Sequence, residues 1–125
     1  MTDTVHLDQA RGLREGLPSG VGYRNRACAL LARMALESAV THRVVTAHPE
    51  LARASMRSRL LCLPLKAPED VVQAAAAAWA GLSRACHHHP YELAPTLGEI
   101  DHWLSVVEHV VAALDDEGVV GSRSR

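Results

Sequence analysis

The chain has no phenylalanine, one lysine and only four aromatic residues, Tyr23, Trp79, Tyr91 and Trp103. Strands draw on β-branched and aromatic side chains, so this poverty argues against a sheet core, and no stretch alternates with period two for long enough to make a strand. The three cysteines, Cys28, Cys62 and Cys86, form no even framework and no Cys-x-x-Cys pair, which excludes a disulfide scaffold and the usual redox and zinc spacings. Neither sign of charge dominates. Thirteen basic and fourteen acidic residues leave a formal net charge of -1, so there is no global pull toward nucleic acid or a membrane surface. No apolar run approaches the length of a bilayer span. The opening residues Met1 to His6 carry no basic segment or apolar core of a secretory signal. The expectation is a cytoplasmic protein with no membrane partner.

What is present favours helix. Ala, Leu and Val supply nearly all of the apolar content, and 125 residues suit one domain that can bury a core without staples. Arg outnumbers Lys twelve to one, a bias typical of GC-rich bacterial genomes. Eight histidines make the charge depend on pH near neutrality.

Residues 1–22 are polar and interrupted by Gly12, Gly16, Pro18, Gly20 and Gly22, so a flexible arm is expected, with one helical turn near Leu7 to Leu13. The helical domain spans 23–117. Asn25 is placed to cap a first long helix to Ala47, with Ala27, Leu30, Leu31, Met34, Ala35, Val40, Val44 and Val45 on its apolar stripe. Pro49 starts a second helix reaching about Leu61, with Leu51, Ala54, Leu60 and Leu61 inward. Pro68, Glu69 and Asp70 start a third, which passes through Ala74 to Ala78 toward His89; five small side chains mark it as the central or dimer-facing helix. Pro90 ends it. Thr96 and Glu99 have capping-box spacing for a fourth helix, whose stripe is Ile100, Trp103, Leu104, Val107, Val110, Val111 and Leu114, and which ends at Gly118. Residues 118–125 read as a disordered tail. The fold class is all-α, an antiparallel four-helix bundle with short loops between sequential neighbours.

Chemistry concentrates between Ser83 and Thr96, where an arginine, a thiol, three imidazoles and a phenol fall within nine residues. Arg84 and His89 stand five apart and Tyr91 follows two later, giving Arg-x4-His-x-Tyr at the exit of the third helix. Arg43 and His48 repeat the arginine–histidine spacing before Pro49, but Glu50 stands where the tyrosine would be. Metal-free RNA cleavage needs a base for the ribose 2′-OH and a cation for the phosphate oxygens, which imidazole and guanidinium supply.

The motif resembles that of the HEPN superfamily, small helical-bundle ribonucleases with Arg-x4-6-His at this place, and in particular its HepT-like toxin branch. The segment Leu31 to Glu37 is similar to the early helix of several HEPN groups. The resemblance implies His89 as base, Arg84 as phosphate clamp, His87, His88 and Glu92 in support, and a homodimer with apposed motifs. It further implies RNA as substrate, no cofactor, and a nucleotidyltransferase or other antitoxin partner that would adenylate Tyr91. Where the family usually has a polar residue after the arginine, this chain has Ala85.

Two other classes stay open. One is a non-catalytic dimeric helical interaction module, in which the histidines at the helix end complement its dipole, Arg84 pairs with Glu92 or Glu99, and Tyr91 packs at the core edge. The other is a zinc site assembled from Cys86, His89, His102 and His109 between the third and fourth helices. Cys86 beside three imidazoles is also a candidate nucleophile.

Overall fold

The computed structural model describes residues 4–15, 22–87 and 93–123, with side chains over 5–15, 24–87 and 93–115. The described residues are all-helical. They form α1 (Thr4–Glu15), α2 (Gly22–Ala47), α3 (Met56–Cys62), α4 (Glu69–Cys86) and α5 (Leu97–Arg123), with 3-10 segments at Pro49–Arg53 and Leu63–Leu65. None of these helices is long and apolar enough to cross a membrane.

α2 is the centre, packing against α1, α3, α4 and α5. Its buried face is built from small side chains, Cys28, Ala29, Ala32, Ala35 and Ala39, with Leu36, Val40 and Val44 filling the gaps between them. Small residues at three- and four-residue spacing let neighbouring helices come close on more than one side. The alanine run 74–78, expected to mark α4 as the central or dimer-facing helix, buries only Ala75 and Ala78, and Ala76 and Ala77 face solvent, so the central place is that of α2. Leu30, Met34 and Leu61, expected on the apolar stripes, are exposed.

Contacts at the helix ends give the chain directions. Asn25 near the start of α2 meets Pro95 just before α5, and Arg43 near the end of α2 meets Leu114 far along α5, so these two helices run the same way. Arg26 meets His87 and Arg33 meets Ser83, so α4 runs opposite to α2. α1 is antiparallel to α5, with Arg14 on Asp101 and Arg11 on Glu108.

Five α-helices stand among the described residues where the sequence predicts four, and the additional one is α1. In place of a flexible arm with one turn there is a 12-residue helix with Leu7 and Ala10 buried against the core. Gly12, read as a breaker, has open space around it, so it costs only helix propensity, about 1 kcal/mol relative to alanine. Two ion pairs lay α1 on α5. Arg14 is bidentate on Asp101 at 2.6 and 2.8 Å, and its guanidinium holds that carboxyl below its ordinary range; Arg11 reaches Glu108 at 2.6 Å. α5 likewise runs past Gly118 to Arg123, because a glycine weakens a helix without stopping it.

The expected second helix is two pieces. The 3-10 segment from Pro49 is followed by Ser55, whose hydroxyl accepts from the Ser58 N–H and starts α3 afresh. Arg59, buried in α3, holds the break in place by donating to the carbonyls of Leu51 at 3.1 Å and Ala52 at 2.7 Å and to the Thr41 hydroxyl at 3.1 Å. Arg59→Met retains the stem and strands these acceptors. It is expected to lower stability by about 2–3 kcal/mol in denaturant titration, with Arg59→Lys recovering part of the loss.

Candidate nucleic-acid interface

α4 starts where the sequence predicts, with Pro68 at the N-cap and Glu69 and Asp70 in the first turn, but it ends at Cys86, before the histidine run. The His87 N–H still bonds back to the Arg84 carbonyl at 3.3 Å, and the chain leaves in extended conformation, φ -73° and ψ 133°. α5 begins with the expected capping box. The Thr96 N–H donates to Glu99 Oε1 at 2.8 Å, and the Glu99 N–H donates to Thr96 Oγ1 at 3.1 Å.

Two consecutive residues of α2 hold both sides of the connection between α4 and α5. Arg26 Nε donates to the His87 carbonyl at 3.3 Å, and Asn25 Nδ2 donates to the Pro95 carbonyl at 2.9 Å. Asn25 is therefore no helix cap. It lies inside α2, only 3% exposed, and its amide satisfies a carbonyl from elsewhere in the chain.

Between these tethers lies a cleft of about 310 Å³. α2 contributes Arg26, α4 contributes Gly81, Arg84 and Ala85, the connection contributes His87, Leu93 and Pro95, and α5 contributes Glu99 and Trp103. Two arginines and one glutamate are thus among its lining residues. Arg84 is exposed, and among the described residues its guanidinium makes no hydrogen bond or ion pair. Glu99 serves as the α5 cap, and the pairing of Arg84 with Glu99 considered from the sequence is not found among the described residues. Trp103 reaches the cleft because position 81 is glycine: a Cβ there would overlap the six-membered ring of the indole.

The second arginine–histidine pair is differently placed. Arg43 donates to the carbonyls of Lys66 at 3.0 Å and Leu114 at 3.2 Å, bracing the far end of the fold, and His48 lies 3.7 Å from Glu50. Arg33 is also occupied. It stacks over Trp79 at 4.0 Å and donates to Ser83 Oγ at 2.9 Å.

Of the residues singled out from the sequence, Arg84 and His87 line the cleft, whereas His88, His89, Tyr91 and Glu92 lie outside the described residues. Cys86 is part-buried, and burial pushes its thiol above the ordinary range despite nearby Arg33, which disfavours the nucleophilic thiolate. His102 and His109 are exposed on α5, with the His102 ring 4.6 Å from that of Trp103. Among the described residues no group of three or more His, Cys, Asp or Glu side chains is placed to hold a metal ion. Arg26, Gly81 and Glu99 do not stand out as site residues in the sequence, and Trp103, on the apolar stripe of α5, packs against the core as well as lining the cleft. The four-residue spacing of Glu99 and Trp103, which puts both on one helical face, was the signal available for that pair.

No protein-family model, no curated protein and no solved structure matches this chain.

Gly81→Ala should destabilise the fold by about 1–3 kcal/mol in thermal or denaturant unfolding, the cost of forcing a methyl into a filled space. At an open helical position the same change would stabilise by up to about 1 kcal/mol. Unchanged or increased stability would contradict the close approach of Trp103.

Proposed function

We propose that this cleft binds single-stranded RNA and that the chain is a metal-independent endoribonuclease of the HEPN type, serving as a toxin or in defence. The observation that carries this reading is the convergence of Arg26 and Arg84 on one cleft beside an imidazole, with Arg84 making no ion pair among the described residues. Guanidinium groups match phosphate geometry, and low net charge elsewhere makes a local pair the feature that selects an anion.

In the reaction, an imidazole of the 87–89 run, His89 by the motif, takes the proton of the ribose 2′-OH. The 2′ oxygen attacks phosphorus, Arg84 stabilises the charge growing on the phosphoryl oxygens, and the 5′ oxygen leaves with a proton from a second imidazole. The products are a 2′,3′-cyclic phosphate and a 5′-hydroxyl end. A second copy of the chain would appose its own motif across the cleft, and adenylation of Tyr91 by a nucleotidyltransferase partner would set negative charge at the RNA path and silence the enzyme.

One observation favours a second reading, a non-catalytic interaction module. Leu93 is 95% exposed at the edge of the same cleft, an apolar side chain suited to a protein partner.

Cleavage of an oligoribonucleotide in the presence of chelator separates the two. The ribonuclease reading expects cyclic-phosphate products, with loss of roughly a hundredfold or more in rate for Arg84→Ala and for His89→Ala and little change for Leu93→Ser. Absence of cleavage by the purified full chain, or cleavage unaltered by both substitutions, would overturn it.

A further inference from the structure

The cleft has more than a phosphate clamp requires. Alongside Arg26 and Arg84 it presents an indole, Trp103, and one helical turn before it on the same face of α5 a carboxylate, Glu99. Neither group serves phosphate binding, and a carboxylate opposes it. Both suit a nucleobase. An aromatic side chain stacks any base, because every base has a π face. A carboxylate accepts hydrogen bonds and offers none, so it discriminates among base edges by their donors.

We propose that this cleft is a single-base pocket selective for guanine, with the base stacked on Trp103, its Watson–Crick edge on Glu99 and the adjoining phosphate between Arg26 and Arg84. The inference rests on the cleft being an RNA site and adds which base it takes. Guanine carries two adjacent donors on that edge, N1–H and the N2 amino group, which a carboxylate accepts in parallel. Adenine and cytosine present one amino group beside an acceptor nitrogen. Uracil presents N3–H between two carbonyl oxygens that repel a carboxylate.

The acceptor is held in place beforehand. Glu99 Oε1 accepts from the Thr96 N–H at 2.8 Å, which fixes the carboxylate within the first turn of α5. Each carboxylate oxygen has two lone pairs, so that bond leaves capacity for the base. Gly81 fixes the other half of the pocket by letting the indole lie against α4.

The test is calorimetric titration of the full chain, at fixed low salt, with guanosine monophosphate, uridine monophosphate and inorganic phosphate. The expected order is guanosine monophosphate tightest, about tenfold above uridine monophosphate, with inorganic phosphate weakest. Glu99→Gln retains an acceptor for the Thr96 N–H, as capping boxes tolerate either residue. It should remove the guanine preference or turn it toward uracil. Trp103→Leu should weaken both nucleotides while leaving their ratio, and Trp103→Phe, which keeps a ring, should restore most of the affinity. Equal affinity for the two nucleotides, or phosphate binding as tightly as either, would overturn the inference. Guanine preference without any RNA cleavage would defeat the ribonuclease reading and leave the base pocket standing. Cleavage with no base preference would defeat the pocket alone.

Discussion

Two side chains at neighbouring positions of one helix hold the cleft open. Asn25 and Arg26, in the first turns of α2, take the carbonyls of Pro95, just before α5, and of His87, the last described residue leaving α4. A buried amide that satisfies a carbonyl 70 residues away is a strong constraint, since breaking it would leave a polar group without a partner away from water. Because both tethers start from the central helix, the exit of α4 and the entry of α5 are fixed relative to the core and to each other. Arg84 and Glu99, on different helices, can then face one space.

The central position of α2 follows from side-chain size. Ala29, Ala32, Ala35 and Ala39 let helices come near on several sides, and the remaining volume is filled by Leu36, Val40 and Val44 from α2 and by Leu82, Leu104, Val107 and Val110 from its neighbours. Close packing has a second consequence at the open end, where Gly81 takes the indole of Trp103 without displacing α4. At the opposite end Arg43 uses its guanidinium on backbone carbonyls. The two arginine–histidine pairs thus share a spacing but not a role: one arginine closes the fold and the other faces solvent.

Much of the helical layout could be read in the residues. The acidic start of α4 and the capping box and apolar stripe of α5 rest on local rules that tertiary contacts leave intact. α1 is not legible in the residues, because Gly12 has the look of a breaker but merely faces solvent, and because the pairing of Arg14 with Asp101 spans 87 residues. The interruption before α3 escaped for a similar reason. Its apolar spacing runs on through Ser55, while the buried Arg59 that stabilises the break bonds to carbonyls that no periodicity reveals. At the site Arg84 was legible from its motif. Arg26 was not, since its part depends on where the chain leaves α4, and Asn25 has the composition of a cap but the position of a tether.

The central claim is that Arg26 and Arg84 form one anion clamp on a cleft tethered to α2. Its most direct test is a nuclear magnetic resonance titration of the arginine side-chain N–H signals with a 2′-O-methyl oligonucleotide, which can bind but cannot be cut. Arg26 and Arg84 should shift together because both line the cleft, with Arg43 and Arg59, which lie outside it, unmoved. Shifts confined to other arginines, or movement of Arg84 without Arg26, would contradict it.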